Sequence, residues 1–273
     1  MTRISRSHIY ARSTAIALML FIAGQGHVCE AQDLPSPDPR FGTLSIASRD
    51  IWRSMTLADA ISVQALVAIP VFGTPGDLNG LQVEGRSWNP IENRSRFRNA
   101  DQYAVTARYL NRIGPKARQD YLSLSYTEIV TPNAQAAVGE VELGASGETG
   151  FPSLGIPSIR FYGEAARELQ GSKATFATVG ATHTIGTQSI AATIALSVSA
   201  SNYGANPRVR YSPSQSFDFH SADAAFGIAY SWPRDRLSSY ATKTVLTAHG
   251  SLRADRLGPN VGWVELGQFL QMF

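Results

Sequence analysis

The side chains best able to do covalent or metal chemistry are few in this 273-residue chain: one cysteine, Cys29, and five histidines. Cys29, His8 and His27 fall within residues 1–31, a segment with the features of a cleaved leader, which leaves His183, His220 and His249. A metal site that sequence alone can reveal places its ligands a few residues apart. These three are 37 and 29 residues apart, so no metal pattern exists. There is no G-x-S-x-G elbow, no phosphate loop and no dinucleotide glycine motif. The pair His220-Ser221, with serine-rich runs around it, is the one arrangement that could serve a nucleophile. It would make a lipid-modifying barrel enzyme if one of the three histidines met a serine at the outer leaflet. Serine is also ordinary filling for a polar interior, which is the reading preferred here. The expectation is therefore no enzyme, no metal and no cofactor.

What remains is charge. Arg49, Arg53, Arg108, Glu140, Glu142, Arg160 and Glu164 each stand opposite large apolar neighbours in alternating runs. On strands those residues would all project to one side, away from the apolar face. Inside a barrel they would line a narrow polar channel and set its ion preference, as rings of charge do in other pores. The competing expectation is that they pair across a small lumen and plug it, because buried charge is costly unless paired.

The elements that would position them have period two. Leu122, Leu124 and Tyr126 alternate with Ser123, Ser125 and Thr127; Val141 and Leu143 alternate with Glu140 and Glu142. Ile159 and Phe161 oppose Arg160, Tyr162 and Glu164, while Tyr103, Val105, Ala107 and Tyr109 oppose Thr106 and Arg108. Such runs are each about ten residues long, whereas ordinary strands peak near five or six. A tilted membrane-spanning strand needs about 9–11. Turn chemistry separates them, as at Gly73-Thr-Pro-Gly76, Gly114-Pro115 and Gly186. The runs fall near 43–53, 59–71, 79–89, 101–112, 118–130, 136–145, 157–168, 174–185, 188–200, 217–231, 240–252 and 261–273. That count is about twelve, an even number, as a bacterial single-chain barrel requires when both ends lie on one side. The fold expected is an all-β, transmembrane, antiparallel up-and-down barrel of about 12 strands.

A secreted β-sandwich also alternates. Against it stand the strand length, the scarcity of charge at 16% of residues, and the closing run Trp263–Phe273. Outer-membrane barrels commonly end in such a strand, whose terminal aromatic is read by the barrel-assembly machinery. With strand one leaving the periplasm, 90–100 and 201–216 fall outside and 185–188 inside, but 146–156 becomes a long inner connection. Tyr203, Arg208, Arg210 and Tyr211 in the second outer loop could contact a partner or simply be solvated. The alternative reading they support is a barrel for adhesion or envelope organisation.

Residues 1–12 carry three arginines and no acid, 13–24 are almost wholly apolar, and Cys29-Glu30-Ala31 supplies a small-x-small site. That order describes a secretory signal, and the apolar stretch is too short for a span of about 20 residues. The chain is expected to divide into a signal peptide (1–31), an N-terminal tail (32–42) and a barrel domain (43–273). Removing Arg3, Arg6, Arg12 and Glu30 turns 24 basic against 21 acidic residues into 21 against 20. A near-neutral mature chain argues against a nucleic-acid partner. The partners expected are outer-membrane lipid and lipopolysaccharide, and the assembly machinery during biogenesis, in a Gram-negative cell.

Ser45-Ile-Ala-Ser-Arg-Asp-Ile-Trp-Arg53 resembles the opening strand of the TorF-like porins, small outer-membrane barrels that begin Ser-(Arg/Asp)-Tyr-x-x-Arg-Gly. Asp101–Tyr109, Tyr121–Thr131 and Gly139–Ser146 echo the family further along. The chain departs from the pattern at Asp50, where the family has Tyr, and at Ser54, where it has Gly. The resemblance implies a small outer-membrane porin. In this register Arg49 and Arg53 share the inward face, and Asp50 would face lipid unless it lies at the rim.

Overall fold

A computed structural model describes residues 41–53, 55–73, 79–91, 102–114, 120–130, 138–151, 156–169, 174–187, 189–202, 216–233, 240–255 and 259–272. The expected leader, most of the tail, the loop residues Tyr203, Arg208, Arg210 and Tyr211, and the terminal Phe273 lie outside the described residues.

Among the described residues fourteen strands follow in order: β1 (Phe41–Ala47), β2 (Asp50–Trp52), β3 (Met55–Ala58), β4 (Ser62–Gly73), β5 (Gly80–Pro90), β6 (Gln102–Arg112) and β7 (Tyr121–Val130), then β8 (Val138–Phe151), β9 (Ile156–Glu168), β10 (Thr175–Gly186), β11 (Ile190–Ser201), β12 (Asp218–Ser231), β13 (Tyr240–Arg253) and β14 (Val261–Met272). Twelve of them form a closed antiparallel barrel in which each strand pairs with its chain neighbour and β1 pairs with both β4 and β14. The other two, β2 and β3, form a separate two-stranded sheet inside the β1–β4 connection. Closure leaves no sheet edge, so every spanning backbone group finds a partner within the wall.

The two barrel ends differ in their connections. The start of β1 and the end of β14 lie at one end, the terminal end, with the connections 74–79, 113–120, 152–155, 187–189 and 232–239. The opposite end, called the loop end below, carries 48–61, 91–101, 131–137, 169–174, 202–217 and 254–260. Gly73, at φ 121°, and Gly186, at φ 154°, end β4 and β10 at the terminal end, where a side chain would strain the backbone.

Alternation decides the faces. Along β6 the pattern is strict, with Tyr103, Val105 and Tyr109 exposed on the outside and Gln102, Thr106 and Arg108 buried inside. Leu122, Leu124, Leu143, Phe161, Leu196, Val198, Leu246 and Leu266 extend the apolar exterior around the barrel. A continuous apolar belt of this kind has lipid as its natural solvent. The interior is not purely polar: Trp88, Tyr121, Phe176 and Trp263 point inward and are buried.

Two expectations need correction. The run 43–53 is not one strand. β1 stops at Ala47, the chain bends at Ser48-Arg49, and β2 belongs to the inserted hairpin. Ser48 ends the ladder, donating its N–H to the Val264 carbonyl at 2.8 Å while its Oγ accepts from the Val264 N–H at 3.0 Å. The bend resolves the Asp50 problem, since no spanning strand carries that residue against lipid. The second correction concerns 146–156, expected as a long connection. β8 continues to Phe151 and β9 starts at Ile156, so only 152–155 remains between them.

Candidate functional site

The barrel interior gathers its charges into a network that crosses from strand to strand. Its first hub is Glu84 on β5. Gln82 Nε2 donates to Glu84 Oε1 at 2.5 Å, Arg108 Nη1 reaches the same oxygen at 2.9 Å, and Arg86 Nη2 stands 3.9 Å from Oε2. The spacing Gln82-x-Glu84-x-Arg86 puts all three on the inward pleat, and Arg86 also lies over the Trp88 ring at 5.3 Å.

The second hub is Arg53, in the turn between β2 and β3. Its Nη1 donates to Glu140 Oε2 at 2.5 Å and its Nη2 to Glu140 Oε1 at 2.6 Å, a bidentate pair in which both partners are buried. Glu164 Oε1 lies 3.5 Å and Glu142 Oε2 4.0 Å from the same guanidinium, which also sits 4.7 Å from the centre of the Phe176 ring. Glu142 joins the hubs, since its other oxygen is 3.9 Å from Arg108 Nη2. Paired, bidentate geometry is what makes charge tolerable in such a setting.

Five of the seven positions singled out by charge and alternation, Arg53, Arg108, Glu140, Glu142 and Glu164, therefore meet in one network. Arg53 arrives by a route the pleat did not suggest: it enters from the hairpin, not from a barrel strand. Arg49 is elsewhere, paired with Asp59 at 2.8 Å at the base of the hairpin, with both side chains substantially exposed. Arg160 projects inward nearer the terminal end of β9, in register with Glu148 of β8, which accepts a hydrogen bond from Ser158 Oγ.

Arg53 is held by its backbone as well. The pairing of β11 with β12 slips between Ser199 and Ala200: Ser221 faces Ser199, Phe219 faces Ala200, and His220 is the extra residue. This bulge turns His220 and Ser221 into the interior together, although they are adjacent in sequence. His220 Nε2 lies 2.6 Å from the Arg53 carbonyl oxygen and Nδ1 2.6 Å from Ser201 Oγ. A carbonyl can only accept, so Nε2 carries the proton and Nδ1 accepts from the serine. Phe176 packs edge-on against the imidazole, with ring centroids 5.4 Å apart. Arg53 itself has φ 46°, a left-handed conformation costing a non-glycine residue about 1–2 kcal/mol. It persists because side chain and carbonyl are both fixed from outside the turn.

The Ser201–His220 contact is the nearest thing to a nucleophile and base, and its setting argues against that use. Both residues are fully buried inside the barrel, and the imidazole is committed to the hairpin carbonyl. Ser221, the neighbour that drew attention in the sequence, donates instead to Asp223 Oδ2 at 2.7 Å. His183 Nδ1 meets the Ser158 carbonyl at 2.5 Å on β10. His249 on β13 stacks on Trp263 at 4.6 Å and lies 3.7 Å from Glu265 Oε2. Among the described residues no group of three acidic, histidine or cysteine side chains is arranged to hold a metal ion.

The arrangement can occlude. A side chain lining an open aqueous channel is wet, yet Glu84, Trp88, Arg108, Tyr121, Glu140, Phe176 and Trp263 are each no more than 5% exposed. A barrel of twelve strands lies between small ones that side chains fill and large ones that stay open. Here the paired charges, the inward aromatics and the hairpin tip together take up the space at the level of the network.

Glu84, Phe176 and His220 were missed as members of the site. Glu84 was legible, since Leu81, Val83 and Gly85 alternate with it. His220 was not, because the bulge that aims it depends on the register of β11 against β12.

The chain matches no family model and no curated protein. It does resemble solved structures. The KdgM porin superposes with a TM-score of 0.53 at 7% identity, covering 85% of this chain and 99% of the porin. An outer-membrane channel from Pseudomonas putida F1 superposes at 0.52 with 10% identity, over 91% of this chain and 100% of that one. At such identities the shared property is the fold: a closed antiparallel twelve-strand barrel.

Proposed function

We propose that this chain is an outer-membrane β-barrel of a Gram-negative bacterium, acting as a small porin for ions or small polar solutes, with the lumen closed in the conformation described. The observation that carries this reading is the charged network of Arg53, Glu84, Arg108, Glu140, Glu142 and Glu164 spanning the interior of an apolar-sheathed barrel. Charge kept inside a lipid-facing wall is costly unless paired, and a path or a plug is the use that such a network serves. Arg160 would line the same path nearer the terminal end. The segments Ser45–Arg53, Asp101–Tyr109 and Gly139–Ser146 support the narrower proposal of a TorF-like porin. The apolar belt supports contact with lipid and lipopolysaccharide. With a periplasmic N-terminus the loop end faces the outside.

The occluded lumen supports a second reading, a barrel that conducts nothing and serves adhesion or envelope structure through its loops. Purified protein in a planar bilayer separates the two. Ohmic steps whose ion preference changes with Glu140→Gln or Arg160→Gln support the porin; silence at every voltage, both of this chain and of one in which residues 49–60 are replaced by a flexible linker, overturns it. Placement is checked by heat-modifiable gel mobility in an outer-membrane fraction, where a soluble product would end the barrel reading.

A further inference from the structure

The connection between β1 and β4 enters the lumen as a ribbon that joins no barrel sheet. A two-stranded ribbon on its own is marginal in water. Among the described residues, the holds on its turn converge on Arg53. The Arg53 guanidinium is clamped by Glu140 on β8 and lies against Phe176 on β10. The Arg53 carbonyl is held by His220 on β12. Glu140, from one half of the wall, grips the charge of the side chain, and His220, from the other half, grips the backbone. The left-handed φ of Arg53 adds a restoring tendency, because the strain is relieved when those contacts part.

We propose that the β2–β3 hairpin is a tethered plug, pinned in the loop end of the barrel by Arg53, whose release opens the lumen. The proposal rests on the porin reading and adds a moving part to it. Departure of the hairpin also removes the positive charge that stands beside Glu140, Glu142 and Glu164. The opened mouth is then rich in carboxylate and favours cations.

The test compares wild-type barrel with a variant in which Arg49 to Ala60 are replaced by a Gly-Ser linker of equal length. Folding of each is confirmed by heat-modifiable mobility, and both are reconstituted in planar bilayers under a potassium chloride gradient. The expected result is conductance raised by about tenfold or more in the linker variant, with a reversal potential on the cation-selective side. Glu140→Gln in the linker background should pull that potential back toward zero. Equal conductance of wild type and linker variant overturns the plug and leaves the porin standing. Silence of both overturns the porin reading and the plug with it. Conductance of the linker variant without cation preference overturns the assignment of the mouth to Glu140 and its neighbours. Should the linker variant not fold, Arg53→Met in the intact chain gives the same comparison, with bursts of opening expected and unchanged closure contradicting the proposal.

Discussion

The two halves of the wall are built from different materials. From β5 to β9 the inward positions carry Glu84, Arg86, Arg108, Glu140, Glu142, Arg160 and Glu164, and the half is held together by ion pairs. From β10 to β13 they are mostly small and neutral: Thr178, Ser197, Ser199, Ser201, Ala225, Thr247 and Ser251, with His220 and His249 and the two charges Asp223 and Arg253 set among them. The first half offers carboxylates in fixed positions, and a guanidinium fits there. The second offers little charge but close packing and a bulge, and it holds a backbone carbonyl. The hairpin tip needs both, which is why one residue can be fixed by two unlike surfaces.

The contrast makes removal of charge in the first half the most damaging change. Glu140→Ala leaves the Arg53 guanidinium without its bidentate partner, and breaking a buried pair from one side costs about 3–5 kcal/mol. The expected outcome is a clear drop in the unfolding midpoint of the reconstituted barrel, while Glu140→Gln, which keeps one acceptor, falls between. Equal stability of all three would mean the pair contributes nothing.

How far that contrast was legible in the sequence differs between the halves. Alternation in Gln82–Trp88, Tyr103–Tyr109 and Val138–Ser146 displays the charged face directly, because period two assigns a face without reference to partners. Ten of the twelve barrel strands lie close to the runs expected, for the same reason, while β8 runs on to Phe151, past the end expected at 145. The first run failed because Ser45–Arg53 alternates just as a strand should, and nothing in its pattern marks the bend at Ser48. That bend depends on hydrogen bonds to Val264, more than two hundred residues away. The second half shows mostly serine, threonine and alanine in sequence, with Asp223 and Arg253 its inward charges, and the role of His220 follows from a register shift that no local pattern encodes.

A charge on the outer face is the next largest effect and tests the sheath shared by both halves. Leu124→Arg or Leu196→Arg at mid-strand should cost about 2–4 kcal/mol in lipid. Leu124 and Leu196 come from opposite halves, so similar losses sharpen the view that the halves differ only inside. Little or no loss at either would mean that its strand does not face lipid there.

His220→Ala removes the donor to the Arg53 carbonyl and the acceptor of the Ser201 hydroxyl. Leaving buried polar groups unpaired costs about 1–3 kcal/mol, and the variant should show more frequent channel openings than wild type in single-channel records. Unchanged openings would assign the pin to the charged half alone.

The smallest effect belongs to the neutral wall. Ser199 donates to Thr178 Oγ1 at 3.1 Å, and Ser199→Ala should cost about 1 kcal/mol or less with no change in conductance. A loss comparable to that of Glu140→Ala, read in the same unfolding experiment, would erase the distinction between the halves.

The closed interior is tested most directly by thiol labelling. The only cysteine of the chain is Cys29, within the segment expected to be removed, so single cysteines can be introduced without background. Ser125→Cys places a thiol at a lumen position that is 2% exposed, and Asp59→Cys places one on the exposed base of the hairpin. Both are treated in intact outer membranes with a small, charged, membrane-impermeant thiol reagent. Rapid labelling at position 59, with none at 125 until the hairpin is replaced by a linker, is the expected result. Equal labelling at both positions in the otherwise unaltered chain would show an open lumen and contradict the closed network.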